Sequence, residues 1–339
     1  MEAIKDLGIA LVAKLEKASL LWIEGFREAC CLHRVIVFYF RSKKLLIRTG
    51  QCFLLNGFIF LGSIFILNSV IIPTLQWILP DDCSQFDSQE LCSFDGLLKF
   101  YSFLRFGLIK LFYITWFYPL YALSIILSAL WYNDIAKYGF EAAQKSGPVK
   151  VDPVGQEEKL TLQNTGHERR RDGLGGIMIV IGEQLYSILL LSFFFIEVSV
   201  TGFVPYIGTA LNFLHVSWMY AYFCFEYKWN LHNVDLDKRL NFFESNWAFF
   251  LGFGCPCALP VLFCSSFVSS GVMAMLYPLF VLTASNSEAE KVISSQTIKW
   301  GDARLGRLPI FYVADALSMK ILSFLPSEPH EQLQDNKVE

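Results

Sequence analysis

Charge is what this sequence has least of. Asp, Glu, Lys and Arg make up 17% of its 339 residues, against roughly a quarter in a soluble domain. The charges also nearly cancel, 28 basic against 31 acidic for a net of −3. That leaves no basic face of the kind nucleic acid requires, so no nucleic-acid partner is expected. Apolar residues reach 54%, with 32 phenylalanines, and the few polar side chains left cannot cover that surface in water. Enzyme signatures are missing too. There is no His-Glu-x-x-His, no Gly-x-Ser-x-Gly, no paired carboxylates beside a nucleophile and no Gly-x-x-x-x-Gly-Lys. The five histidines (His33, His167, His215, His232 and His330) are scattered. The expectation is a chain without enzymatic activity, cofactor or metal. No cleavable signal peptide is expected, and the absence of any Asn-x-Ser/Thr acceptor removes glycosylation as a marker of sidedness.

Where charge is absent altogether, the gaps are long. None occurs between Arg48 and Asp81, or over residues 111–133, 198–225 and 245–287. A helix crossing ~30 Å of hydrocarbon at ~1.5 Å per residue needs ~20 apolar residues. The first three gaps hold one crossing each and the last holds two. With the apolar stretch containing Glu183 and Glu197, the pattern predicts six membrane segments: 52–79, 106–131, 174–196, 206–225, 247–269 and 271–284. The last is short, and Pro256, Pro260 and Gly271 interrupt the final pair, so two half-penetrating helices compete with two full spans there. The predicted fold is an all-α, polytopic transmembrane bundle of four to six segments.

Lys and Arg set the orientation. Arg34, Arg41, Lys43, Lys44 and Arg48 flank the first segment; Lys145, Lys159 and Arg169–Arg171 follow the second; Lys228, Lys238 and Arg239 follow the fourth; Lys291, Lys299 and Arg307 follow the last. Alternating crossings bring all four clusters to one side, assigned to the cytosol with both termini. The other side receives the acidic loop 80–96. Lys99, Arg105 and Lys110 break the rule and suggest an interfacial turn before the second span. Five regions follow: a cytosolic amphipathic region 1–48, a first helical pair with an acidic lumenal loop 49–145, a polar linker 146–173, a second membrane region 174–325 and a disordered tail 326–339. In the first, Ile4, Leu7, Leu11, Leu15, Ala18 and Trp22 form one face, predicting a helix on the membrane surface. Trp131, Ile135, Tyr138 and Ala142, and later Leu236, Leu240, Phe243 and Trp247, predict two more interfacial helices. Asp237, Asn241 and Glu244 take the polar face of the later one. Residues 308–325, with Asp315 and Lys320, predict a further surface helix. The lipid bilayer is the expected partner; no oligomeric state follows.

Several groups carry chemistry, each with a plainer reading beside it. Cys83 and Cys92 share the acidic loop and are a candidate lumenal disulfide or two free thiols. Cys30 and Cys31 are palmitoylation candidates or small buried residues. Cys255-Pro256-Cys257 has the look of a soft-metal site in a membrane helix, or of a packed kink. Glu183 and His215 fall at matching depths on segments joined by a short turn, and form a candidate intramembrane polar pair: either a proton or anion pathway, or a structural hydrogen bond. Asn56, Asn68 and Asn212 extend either arrangement. Tyr132-Asn133-Asp134-Ile135 fits an aromatic-x-x-aliphatic peptide motif, but on a membrane-hugging helix.

Residues 222–229 (YFCFEYKW), with Glu226, are followed by Arg239, by Glu244 to Trp247, by Gly252, Gly254 and Pro256, and by Gly271 and Pro278. Residues 130–136 (LWYNDIA), with Asp134, precede Glu141. In this order these motifs resemble the etoposide-induced protein family of endoplasmic-reticulum membrane proteins. The N-terminal region is less basic than in animal members. The resemblance implies a multi-pass protein of the endoplasmic reticulum required for autophagy, linked to growth suppression and apoptosis, with membrane proteins of those processes as partners. It also implies distant similarity to bacterial sulfate permeases with half-inserted helices. It carries over no catalytic residue. Two functions compete: a non-enzymatic scaffold or lipid-remodelling factor, and an anion or proton-coupled transporter.

Overall fold

A computed structural model describes residues 2–79, 95–144, 174–300 and 305–324. Among them every regular element is a helix, as hydrocarbon demands of a chain that must satisfy its own backbone. The protein is an all-α polytopic bundle. Its helices are α1 (Glu2–Ala29), α2 (Leu32–Arg41), α3 (Lys43–Ile78), α4 (Lys99–Gln144), α5 (Leu174–Thr201), α6 (Gly208–Leu231), α7 (Leu236–Ser245), α8 (Trp247–Phe263), α9 (Ser266–Ser285), α10 (Ala289–Trp300) and α11 (Tyr312–Leu322). Among the described residues, Lys43–Ile78, Lys99–Gln144 and Phe267–Ser285 are long and apolar enough to cross a membrane. The chain folds into two compact units. One holds residues 1–148, 213–234 and 246–305, and the other 149–212, 235–245 and 306–339.

In the first unit α3 and α4 run antiparallel. Their partner-facing residues Phe60, Ile64, Leu67 and Phe117 form a small core with Phe267 of α9. A second core, closer to the other end of these helices, joins Val35, Phe38, Leu45, Cys52, Ile135, Ala142 and Leu282. Ion pairs gather at that end: Arg48 to Asp134 at 3.2 Å, and Lys228 to Glu290 at 3.0 Å. Lys228 also donates to the Ser287 carbonyl at 2.8 Å. Residues 131–142, expected as a separate interfacial helix, instead continue α4 without a break, with Ile135 and Ala142 buried. Arg105 lies within the continuous α4, and its Nη1 donates to the Leu79 carbonyl at 3.0 Å. It thus satisfies a carbonyl at the end of α3 and places a cation where the helix dipole favours one.

Between these cores lies a buried polar clasp. Asn56 is 0% exposed. Its amide nitrogen donates to the Ser128 hydroxyl at 2.9 Å and the Cys52 carbonyl at 3.0 Å, while its oxygen accepts from the Ser124 hydroxyl. Every hydrogen-bonding group of the amide is engaged, which is what hydrocarbon surroundings require. Asn68, one candidate extension of the polar pair, is exposed. Asn56→Ala is therefore expected to cost about 1–2 kcal/mol and Asn68→Ala almost nothing. Unfolding midpoints of the purified variants in mixed micelles check this.

The N-terminal helix departs most from expectation. It does not simply rest on a surface: its second half packs on α8 backbone to backbone. A Cβ at Gly252 would lie 1.9 Å from the Trp22 carbonyl oxygen, and one at Gly25 would lie 1.9 Å from that of Phe249. The buried stripe is Leu21, Gly25, Glu28 and Ala29, whereas Leu11 and Leu15 of the predicted face are exposed. On another side of α8, a Cβ at Gly254 would meet the Ser217 carbonyl of α6 at 1.8 Å. Small residues allow membrane helices to approach this closely. Around them Phe225 of α6 packs edge-on against Phe250 and Phe253, with ring centroids 5.1 and 4.9 Å apart. Both prolines of α8 sit inside the helix. The break before α9 falls at Cys264 and Ser265, so the last segment begins five residues before the predicted Gly271 and is a full-length helix.

In the second unit α11 packs along α5, burying Ala314 and Ser318. Within the stretch predicted as a surface helix, Tyr312–Leu322 is helical and docks on α5. Phe311 meets Phe194 at 4.7 Å and Phe243 of α7 at 5.7 Å.

Candidate functional site

The first unit holds a half-open cavity of about 370 Å³ between α3, α4, α6 and α9. Its α3 wall, Asn56 and Phe60, belongs to a π-helical stretch, Leu54–Leu61. Widened turns of this kind recur at functional sites. Opposite stand tyrosines from three helices: Tyr121 and Tyr132 on α4, Tyr220 and Tyr227 on α6, and Tyr277 on α9. Tyr132 and Tyr277 meet at 4.7 Å with their planes 61° apart, and Tyr220 and Tyr277 at 6.1 Å and 58°. The hydroxyls have work within the protein. Tyr132 donates to the Ala274 carbonyl at 2.8 Å, and Tyr227 and Tyr277 share a side-chain hydrogen bond. Among the described residues lining the cavity, Glu226 is the one charged side chain. Ser270 and Gly271 complete the α9 wall, and a Cβ at Gly271 would strike Leu61 of α3 at 2.5 Å.

The second unit holds a different site that the sequence pattern concealed. Glu244, placed by helical spacing on the solvent face of α7, is 3% exposed. Its carboxylate accepts from Arg307 Nη2 at 2.6 Å and Nε at 2.7 Å, and from the Phe311 amide at 3.0 Å. A cavity of about 400 Å³ adjoins it, lined also by Asp237, Tyr186 and Asp315. The Tyr186 hydroxyl donates to Asp315 at 2.6 Å. Periodicity shows which face a residue occupies, but not that an arginine far along the chain returns to cover it.

The other candidates fare variously. The Glu183 side chain, and both Cys83 and Cys92, lie outside the described residues, so the expected Glu183–His215 pair and the lumenal disulfide do too. His215 itself is half-buried with its ring 5.8 Å from Trp218. Asn212 donates to the Val198 carbonyl at 2.7 Å. Cys255 and Cys257 are buried but engage different neighbours, Ser217 and Cys224 respectively. Among the described residues no group of three or more His, Cys, Asp or Glu side chains is placed to hold a metal ion. Cys30 is exposed, and partial burial together with the adjacent Cys31 holds its thiol above the ordinary cysteine value, which reduces the reactive thiolate.

The motif residues cluster around α8 and the tyrosine cavity. Gly252 and Gly254 make the close helix contacts, and Pro256 lies within α8. The Trp247 carbonyl accepts from Trp218 at 3.0 Å. Asp134 holds Arg48, Glu226 and Gly271 line the cavity, Pro278 lies inside α9, Glu141 is exposed and Arg239 is half-buried on α7. A family model described as sulfate transporter CysZ/etoposide-induced protein 2.4 matches residues 31–282. The chain belongs to the EI24 family. It is 59% identical over 320 residues to the protein EI24 homolog of Arabidopsis thaliana, covering 94% of this chain and 99% of that one. It is 26% identical over 308 residues to the protein EI24 homolog of Dictyostelium discoideum, covering 91% and 85% of the two chains. It is 30% identical over 167 residues to ectopic P granules protein 4 of Caenorhabditis elegans, covering 49% and 46%. No solved structure matches at a significant level. The EI24 match takes in α2 to α8 and most of α9, and so all four walls of the tyrosine cavity.

Proposed function

We propose that this EI24-family chain is a non-enzymatic membrane protein of the endoplasmic reticulum, with both termini cytosolic, that serves autophagy by organising or remodelling the bilayer. The observation that carries the proposal is the family likeness over nearly the full chain, which extends in part to ectopic P granules protein 4. The orientation rests on the Lys and Arg asymmetry, and the clustering of Arg48, Asp134, Lys228 and Glu290 at one end of the first unit agrees with it. Direct action on lipid is supported by α3 and α4, whose most apolar stretches are only 17% buried and so meet acyl chains along most of their surface. In a line lacking the gene, autophagic flux measured by turnover of a lipidated autophagosome marker should fall and be restored by the wild-type chain. Unchanged flux would end this proposal.

A second function, anion or proton-coupled transport, draws on the family description and on a cavity among apolar helices. Sulfate uptake into proteoliposomes, measured beside lipid scrambling, separates the two.

A further inference from the structure

We propose that the tyrosine cavity of the first unit binds the quaternary ammonium headgroup of a choline phospholipid that enters sideways from the bilayer. The inference names a ligand for the lipid-remodelling function above, and rests on it for its cellular meaning alone.

Chemistry gives the class of ligand. Tyr277 stands at a steep angle to both Tyr132 and Tyr220, and Glu226 joins them in lining the cavity. Aromatic faces carry negative potential and attract cations, most of all when water is excluded. Glu226 shares the wall with Tyr227, on which its charge acts. With the Tyr132, Tyr227 and Tyr277 hydroxyls bonded within the protein, what these residues present to the cavity is chiefly ring carbon. A trimethylammonium group donates no hydrogen bonds and prefers such faces to a polar pocket; an anion meets repulsion from the ring faces.

Position gives the source. Glu226 lies two residues before Lys228, whose ion pair with Glu290 belongs to the charged end of the unit. Asp134, paired with Arg48, lies two residues beyond Tyr132. One end of the cavity is therefore level with the charged boundary. From there the lining runs inward to Met273, Ile125 and Phe60, residues suited to acyl carbon. The cavity wall also reaches the outside of α4, where Ile125 is 53% exposed and Ala129 is exposed too. That surface belongs to a membrane-crossing helix, so its neighbour is lipid rather than water. A cavity of about 370 Å³ accommodates a headgroup and the first carbons of a chain, with the remainder left in the bilayer.

The test uses the purified full-length chain in nanodiscs, photolabelled in separate samples with a photoactivatable phosphatidylcholine and a photoactivatable phosphatidylglycerol. Phosphatidylcholine should label the chain about tenfold more strongly, with adducts on α4, α6 or α9. Tyr220→Leu should lose most of that preference and Tyr220→Phe keep it, because phenylalanine retains the ring face without the hydroxyl. Glu226→Gln, a near-isosteric change, should reduce the preference several-fold even if Tyr220→Leu proves unstable. Equal labelling by the two lipids would overturn the proposal, as would a preference unmoved by Tyr220→Leu and Glu226→Gln in monodisperse protein. Full competition by millimolar free choline would overturn the lipid source. None of these readouts involves autophagy, so failure here leaves the flux experiment untouched and the reverse holds as well.

Discussion

Gly252→Val should strongly destabilise the first unit. The added Cβ would sit 1.9 Å from the Trp22 carbonyl oxygen and 2.7 Å from its carbon. Backbone cannot rotate out of the way as a side chain can, so α1 and α8 must separate. Separation also opens the Gly25–Phe249 contact and uncovers Leu21 and Ala29. A cost of about 3 kcal/mol or more is expected, the upper end of overpacking, against a total stability of about 5–15 kcal/mol for a typical protein. Size-exclusion profiles and thermal midpoints of detergent-solubilised protein check this. Gly8→Val in the same helix serves as control, since nothing lies within 4 Å of a Cβ there. If Gly252→Val runs as the wild type does, the α1–α8 contact is not a structural requirement.

The second large effect is expected at Glu244. Glu244→Ala removes the acceptor for Arg307 and for the Phe311 amide together. The amide is buried and would be left without a partner, whereas the Arg307 side chain is 57% exposed and can turn to water. Loss should be about 2–4 kcal/mol, below that of a fully buried ion pair. Arg307→Ala should cost a similar amount for a different reason, since it strands a carboxylate that is 3% exposed. The double variant should cost less than the two single losses added together. Additive losses in a thermal-shift cycle would show that the two side chains do not act as a unit.

Charge gaps revealed the bundle because hydrocarbon excludes ions so strongly that their absence becomes a ruler. What they could not reveal is how the helices touch. The start of α9 was displaced because Ser269, Ser270 and Gly271 resemble a turn, when in a membrane helix small residues are contact surface; Gly271 faces Leu61 of α3. The stripe of α1 that packs on α8 is not legible in the apolar pattern because its tightest contact is made by Gly25, which carries no hydrophobic signal at all. Glu244 resembled a solvated residue because its partner lies sixty-three positions away in sequence. Of the tyrosine cavity, the sequence singles out Glu226 and Gly271 by motif, Asn56 as an intramembrane polar group and Tyr132 only as part of a peptide motif, while Tyr220 and Tyr277 carry no signal of their own. The convergence of Tyr132, Tyr220 and Tyr277 from three helices is a property of the packing.

The docking of α1 on α8 has a consequence for biosynthesis. The ribosome completes the first helix long before it reaches Gly252, and at ~5–20 residues per second the interval is on the order of tens of seconds. Throughout that time Leu21, Gly25 and Ala29 have no protein to cover them. Translation speed and the arrival of α8 thus become part of how this bundle closes.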